Sequence, residues 1–264
     1  MKEIVYKKYK SNIGFANKFC RTIKHVGLIL GLTVMIMSSL SCATQHRNSQ
    51  KDILPRQSFM KIEKQLTIYR CLDENSCFSK NFGSSASGMV VSNQFDGAYV
   101  LTAEHVCNDN VVDQIRKHFQ FDRYDLVFKV FDIDGNEYSV EIVNLDSPND
   151  ICILWAKDLY KPAVKISPKA PEPGDRLYNI AAPLGIFAPH MIPINEGLYN
   201  GYWENRSFYS IPAVGGSSGS AVLNHKGELV GMIHSVYVRF ASLSMGPTYH
   251  DLTSFINSSI KNEN

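Results

Sequence analysis

Residues 214–223 read VGGSSGSAVL, and two quite different objects fit those ten letters. A Gly/Ser run is the ordinary composition of a flexible linker between domains. The same run also suits a tight turn, on which glycine's conformational freedom lets one serine hydroxyl stand clear of the backbone. The second reading makes a demand on the rest of the chain. A serine hydroxyl is a poor nucleophile at neutral pH, so it needs a positioned base and a group that orients that base. Partners for Ser217, Ser218 or Ser220 must therefore be sought elsewhere in the sequence.

Outward from the run, short strand-like segments alternate with turn signals. ASGMVVS (86–92), AYVLTA (98–103), LVFKVF (126–131), ICILWA (151–156), RLYNIAA (176–182) and ELVGMIHSVYV (228–238) are rich in β-branched and aromatic residues. The breaks between segments carry NQFDG, DIDGN, PEPGD and NHKGE, as turns require. Helical periodicity is confined to short pieces near 110–118 and 252–260, and no internal repeat is present. Many short strands spread over roughly 200 residues predict an all-β sandwich or paired barrels.

Two segments in this pattern supply the missing roles. YVLTAEHVC (99–107) is an apolar strand ending in a small-residue turn that carries His105. In SPNDICILWA (147–156), Asp150 immediately precedes a buried-looking strand. Taken singly, a histidine after a strand is usually structural or solvated, an aspartate before one is usually a turn residue, and GSSGS is usually a loop. Together they run His, then Asp 45 residues later, then Ser 68 residues after that.

This order resembles the two-barrel serine peptidases of the trypsin/chymotrypsin superfamily. TAEHV resembles their TAAHC-like histidine segment, NDICIL their NDIxLL aspartate segment, and GSSGSAV their GDSGGPV serine segment. PEPGDRLYNIAAPLG (171–185) further resembles the GDxVxAIGNPxG segment of HtrA-type bacterial peptidases. The resemblance covers about residues 65–260. It implies two six-stranded antiparallel β-barrels with a short C-terminal helix, and serine endopeptidase activity through an acyl-enzyme. It implies Ser218 as nucleophile, His105 as general base and Asp150 as its orienting acid. Gly216 would let its own N–H and that of Ser218 converge on an oxyanion. A competing frame, G-x-S-x-G over 215–219 with Ser217 as nucleophile, matches the elbow of α/β hydrolases. That fold needs an acid, then a histidine, downstream of the serine, among alternating helices. Only 47 residues follow Ser217, and the crossover helices are missing.

The pattern also departs from the family. Ser217 stands where trypsin-like zymogens carry the aspartate that pairs with a freed N-terminus, so activation by that ion pair is not expected. The 46 residues after Ser218 are too few for a PDZ module, so PDZ-regulated proteolysis of the full HtrA kind is not expected either. Pro212 occupies the position that carries an acid in enzymes specific for Lys or Arg. Glutamyl endopeptidases use a pocket histidine in the strand that here holds His234, one position displaced. The substrate-pocket candidates are Pro212, Ala213, His234, Ser235 and Val236, with an uncharged or small apolar P1 side chain expected. An inactive member of the fold serving as a membrane-tethered binding module is the alternative reading.

The N-terminus has a separate logic. Residues 1–25 hold seven Lys/Arg against Glu3 alone, leaving 20 basic and 24 acidic side chains in the remainder. That balance gives the body no electrostatic footprint for nucleic acid. The basic segment precedes sixteen uncharged residues (26–41) and then Cys42, the layout of an export signal. The ending SLSC resembles the lipobox of bacterial lipoproteins, which implies lipid attachment at Cys42. Simple cleavage and an uncleaved anchor are the other two readings, and all three place the body outside the cytoplasm. Residues 1–42 are thus read as export signal or anchor, 43–60 as a polar tether and 61–264 as the peptidase domain. Cys71 and Cys77 bracket a polar turn and can close a hairpin. Cys152, in ICIL, reads as a small core residue. No segment has zinc-site spacing, and neither a metal nor a cofactor is expected. The expected partners are a protein or peptide substrate and the membrane.

Overall fold

The structure, a computed structural model, describes residues 53–261 apart from 74, 75, 95 and 238. The export segment and Cys42 lie outside the described residues. The last residues assigned to the tether do not: Leu54, Phe59 and Met60 are buried in the core.

Strands β1 (Phe59–Asp73), β2 (Ser76–Gln94), β3 (Gly97–Thr102), β4 (Arg123–Phe131), β5 (Glu137–Asp146) and β6 (Ile151–Lys157) close into a barrel of order β1-β2-β3-β6-β5-β4. Residue alternation builds it. Along β1, Met60, Ile62, Lys64, Leu66 and Ile68 all turn inward, the period of two that a half-buried strand imposes. Strand β3 has no exposed face, since all six residues of GAYVLT are buried. Its neighbour β6 is buried over ICIL. Two short helices, α1 (Glu104–Cys107) and α2 (Asn110–Arg116), leave the end of β3.

The second half comprises β7 (Arg176–Ile180), β8 (Ile194–Trp203), β9 (Arg206–Tyr209), β10 (Ser220–Leu223), β11 (Leu229–Ile233), β12 (Ser235–Tyr237) and β13 (Phe240–Pro247). They form one seven-stranded sheet of order β11-β10-β7-β8-β9-β13-β12, strongly curled into a half-barrel. The expected second six-stranded barrel is met in the form of this curled half-barrel, and the seventh strand arises because β11 and β12 are one run of chain interrupted at His234. Its two ends, β11 and β12, are consecutive in the chain and meet at His234, whose N–H donates to Met245 O of β13 at 3.0 Å. Helix α3 (Tyr249–Lys261) closes the chain and buries Leu252, Phe255 and Ile256, an i, i+3, i+4 stripe facing the core. One hydrophobic cluster runs through both halves, from Met60 and Ile153 to Ile180, Leu223 and Met232, and takes in the α3 residues.

Among the described residues, two disulfides are present. Cys71–Cys77 ties the β1–β2 hairpin, as its bracketing of a turn predicts. The second corrects the reading of Cys152: fully buried, it is bonded to Cys107, and apolar packing alone does not describe it.

Candidate active site

Antiparallel pairing brings His105 and Asp150 together. In the β3–β6 ladder Thr102 lies opposite Cys152. His105 follows Thr102 by three residues and Asp150 precedes Cys152 by two, so both emerge at the same end of the barrel. The β6 turn then aims the acid. Asp150 adopts a left-handed conformation (φ 54°), which costs an L-residue on the order of 1 kcal/mol but suits the short side chain of Asp. Asn149 bonds Asp146 through its backbone and its amide, and Ser147 Oγ donates to Glu104 Oε1 at 3.2 Å.

The resulting contact is double. The His105 backbone N–H donates to Asp150 Oδ1 at 2.9 Å, and Nδ1 lies 2.8 Å from Oδ2. A carboxylate in this position selects the tautomer with the proton on Nδ1, which leaves the Nε2 lone pair free. Burial pulls the Asp150 pKa upward. The hydrogen bonds from the His105 ring and backbone, with the attraction of the His105 and His234 rings, outweigh it, and the carboxyl stays below its ordinary range. The acid is an anion at neutral pH.

Ser218 arrives from the second sheet, two residues before β10. Its loop is fastened to the first barrel by Ser87 of β2, a fully buried residue. Ser87 N–H donates to Ser218 O at 2.8 Å, and its hydroxyl donates to Gly216 O at 2.8 Å while accepting from Ala182 N–H at 2.9 Å. Thr102 Oγ1 in turn donates to Ser87 O at 2.9 Å. On the other side Gly219 N–H donates to Ile233 O at 2.7 Å. Glycine is required at 216 and 219. Both have positive φ, and a Cβ would stand 2.4 Å from Ala182 O at the first and 2.2 Å from Ser87 O at the second. The Gly215 carbonyl accepts from Leu184 N–H at 2.6 Å. With the carbonyls of 215 and 216 so engaged, the N–H groups of Gly216 and Ser218 take no hydrogen bond among the described residues.

His105, Ser218, Gly215 and Gly216 line one cleft of about 220 Å³, walled by Ser84–Ala86 and Lys64 of the first barrel. Burial lowers the Lys64 pKa, against the attraction of Asp109 and Glu104, and its ammonium donates to Asn108 O. Ser218 Oγ donates to the His234 carbonyl at 3.3 Å. The His234 ring is buried behind Asp150, with Nδ1 3.6 Å from Oδ2 and no hydrogen-bond partner. That distance is too long for a hydrogen bond. Burial pushes the imidazole pKa down to about 4; Asp150 opposes the shift, and Arg206 and His105 add to it. His234 is neutral at pH 7, so its approach to Asp150 is no ion pair.

None of the pocket candidates, His234 included, is among the residues lining this cleft. Pro212 is exposed, Ala213 belongs to the core of the second sheet, Val236 packs against that core, and Ser235 is half-buried with its Oγ unpartnered. Sequence reading passes over Ser87, which sits unremarkably in a strand-like run, and over the bond between Cys107 and Cys152. The second had a signal: the two cysteines stand two residues beyond His105 and Asp150, at the same spacing of 45.

Comparison with known proteins agrees with this architecture. No curated protein matches the chain. Among solved structures, the serine endoprotease from Yersinia pestis aligns with a TM-score of 0.59 at 18% identity, over 82% of this chain and 67% of its own. At that identity the likeness speaks for the fold alone. Residues 86–232, more than half of the chain, match the trypsin-like peptidase domain. That span holds the His105, Asp150 and Ser218 segments, and the chain belongs to the trypsin-like peptidase domain family.

Proposed function

We propose that the protein is a serine endopeptidase in which His105, Asp150 and Ser218 form the catalytic triad. The observation that carries this reading is the 2.8 Å contact of His105 Nδ1 with Asp150, in a cleft that Ser218 shares. In the reaction the Ser218 hydroxyl leaves its long bond to the His234 carbonyl and gives its proton to His105 Nε2. Its oxygen adds to the scissile carbonyl, and the oxyanion takes the N–H groups of Gly216 and Ser218. His105 then returns the proton to the departing amine. Water, deprotonated by the same imidazole, adds to the Ser218 ester, and collapse releases the acid and restores the hydroxyl. Asp150 stays ionised throughout and stabilises the imidazolium.

Ser218→Ala is expected to abolish both hydrolysis of a denatured protein substrate and labelling by a fluorophosphonate probe, with the melting temperature unchanged. Labelling that persists in the variant rejects the assignment, and a wild-type protein that neither labels nor hydrolyses supports an inactive binding module instead. For specificity we propose an uncharged or small P1 side chain, which a peptide library cleaved only after Arg, Lys or Glu would overturn. The N-terminal segment supports export and tethering through a lipid on Cys42. Cys42→Ser is then expected to move the protein from the membrane fraction to the soluble one, and unchanged partition would argue for an uncleaved anchor.

A further inference from the structure

We infer that the Cys107–Cys152 disulfide is a positioning device for His105 and Asp150, a covalent clamp on the pair beyond its part in holding the fold together. The inference rests on the triad proposed above. His105 sits in α1, a helix of four residues with no side-chain cap on Ala103. A single turn is far below the length at which a helix holds itself, so the imidazole's placement depends on what anchors the segment. Both ends are fixed to one residue. Thr102 is paired with Cys152 across the β3–β6 ladder, and Cys107 is bonded to the same Cys152 through sulfur. Residues 103–106 are thus a short arch standing on Cys152 at both feet, with His105 within it. Asp150 lies two residues upstream of that same residue, so base and acid are referred to one fixed point.

The remaining polar ties between the two segments are hydrogen bonds: His105 N–H and Nδ1 with the Asp150 carboxylate, and Ser147 Oγ to Glu104 Oε1. These bonds are open to water, whereas the cysteines are buried. Without the sulfur bridge, the far foot of the arch keeps the apolar packing of Val106 and the Lys64 bond to Asn108 O, but no covalent tie to the Asp150 segment. A misplacement of about 1 Å in such a constellation costs on the order of a hundredfold in rate. The cleft walls at Ser84–Ala86 and Gly215–Gly216 do not hang on the bridge, so substrate binding should be spared.

The test compares Cys107→Ala/Cys152→Ala with Cys71→Ala/Cys77→Ala, which removes the hairpin disulfide and leaves the arch intact. Two readouts are taken below the melting temperature of each variant. The first needs no turnover: in a Ser218→Ala background, the downfield proton resonance of His105 Nδ1–H reports its bond to Asp150. It is expected to be sharp in the parent and in the hairpin variant, and broadened or lost in the clamp variant. The second is steady-state kinetics, with kcat expected to fall about tenfold or more in the clamp variant, KM to stay within twofold, and both to be unchanged in the hairpin variant. An unshifted resonance together with an unchanged kcat would reduce the bridge to a stabilising bond and overturn the inference. If the alanine pair does not fold, Cys107→Val/Cys152→Ala, which restores the lost volume without the bond, is judged by the same criteria. If the wild-type protein has no hydrolytic activity, the triad reading fails while the resonance still decides the clamp.

Discussion

His234 is a residue whose protonation the fold has to suppress. Its ring is 7% exposed and stands 3.6 Å behind the Asp150 carboxylate, with its pKa pushed down from 6.5 to about 4. Between those two values the unfolded chain binds a proton that the folded one refuses. Stability is therefore fully present above about pH 6.5 and is lost as pH falls toward 4. The shift corresponds to roughly 3 kcal/mol across that window, an upper bound for one group. Asp150, whose folded pKa is lowered, acts with the same sign further down, since its contribution disappears as pH falls through its folded value. Urea titrations at pH 7.5 and 4.5 are expected to show a marked loss of stability in the wild type and a smaller one in His234→Asn. A wild type equally stable at both pH values would rule this account out.

At the scale of elements, the meeting of β2 with the serine loop matters most. Ser87 satisfies Gly216 O and Ala182 N–H with one hydroxyl, in a place with no exposure to water. Ser87→Ala leaves both groups buried and unpaired, a cost of about 1–3 kcal/mol. Because those two groups flank the loop that carries Ser218, the fluorophosphonate labelling rate should fall along with the unfolding free energy. A variant that loses stability but labels at the wild-type rate would show that Ser87 supports the fold alone. The strand run around it was legible, because ASGMVV alternates little and is apolar enough to be buried on both faces. The hydroxyl's task was not legible, because its partners lie 95 and 129 residues away in sequence.

At the scale of the molecule, one hydrophobic cluster spans both halves, beside the second sheet's own core. The cluster that includes Met60, Leu101 and Ile153 of the barrel also includes Ile180, Leu223 and Met232 of the sheet, with Leu252 and Ile256 of α3. A continuous core of this kind unfolds as one cooperative unit. Trp155 of β6 packs on Tyr99 within the barrel, and Trp203 is the second tryptophan of the chain, on β8. Urea unfolding followed by Trp155 fluorescence in a Trp203→Phe variant is expected to coincide with unfolding followed by far-ultraviolet circular dichroism. Separated midpoints would mean that barrel and sheet unfold independently.

What the sequence determined by itself was local: strand alternation, the glycines at 216 and 219, and the residue types and order of His105, Asp150 and Ser218. Each is written in a few neighbouring letters, where backbone sterics and side-chain period act directly. Its family resemblance extended that reading to a two-barrel fold. Only the tertiary structure decided that the last strand of the second half is interrupted at His234, that His234 lies behind Asp150, and that Ser87 carries the serine loop. It alone decided that Cys152 is bonded to Cys107. All of these depend on cross-strand register and on contacts between segments far apart in the chain. Strand weights there are also weak: β8, INEGLYNGYW, holds two glycines and few β-branched residues, and its place is settled by its neighbours β7 and β9. The run VGGSSGSAVL contained a turn that no linker needs, and what gave that turn a meaning was the barrel edge folded against it.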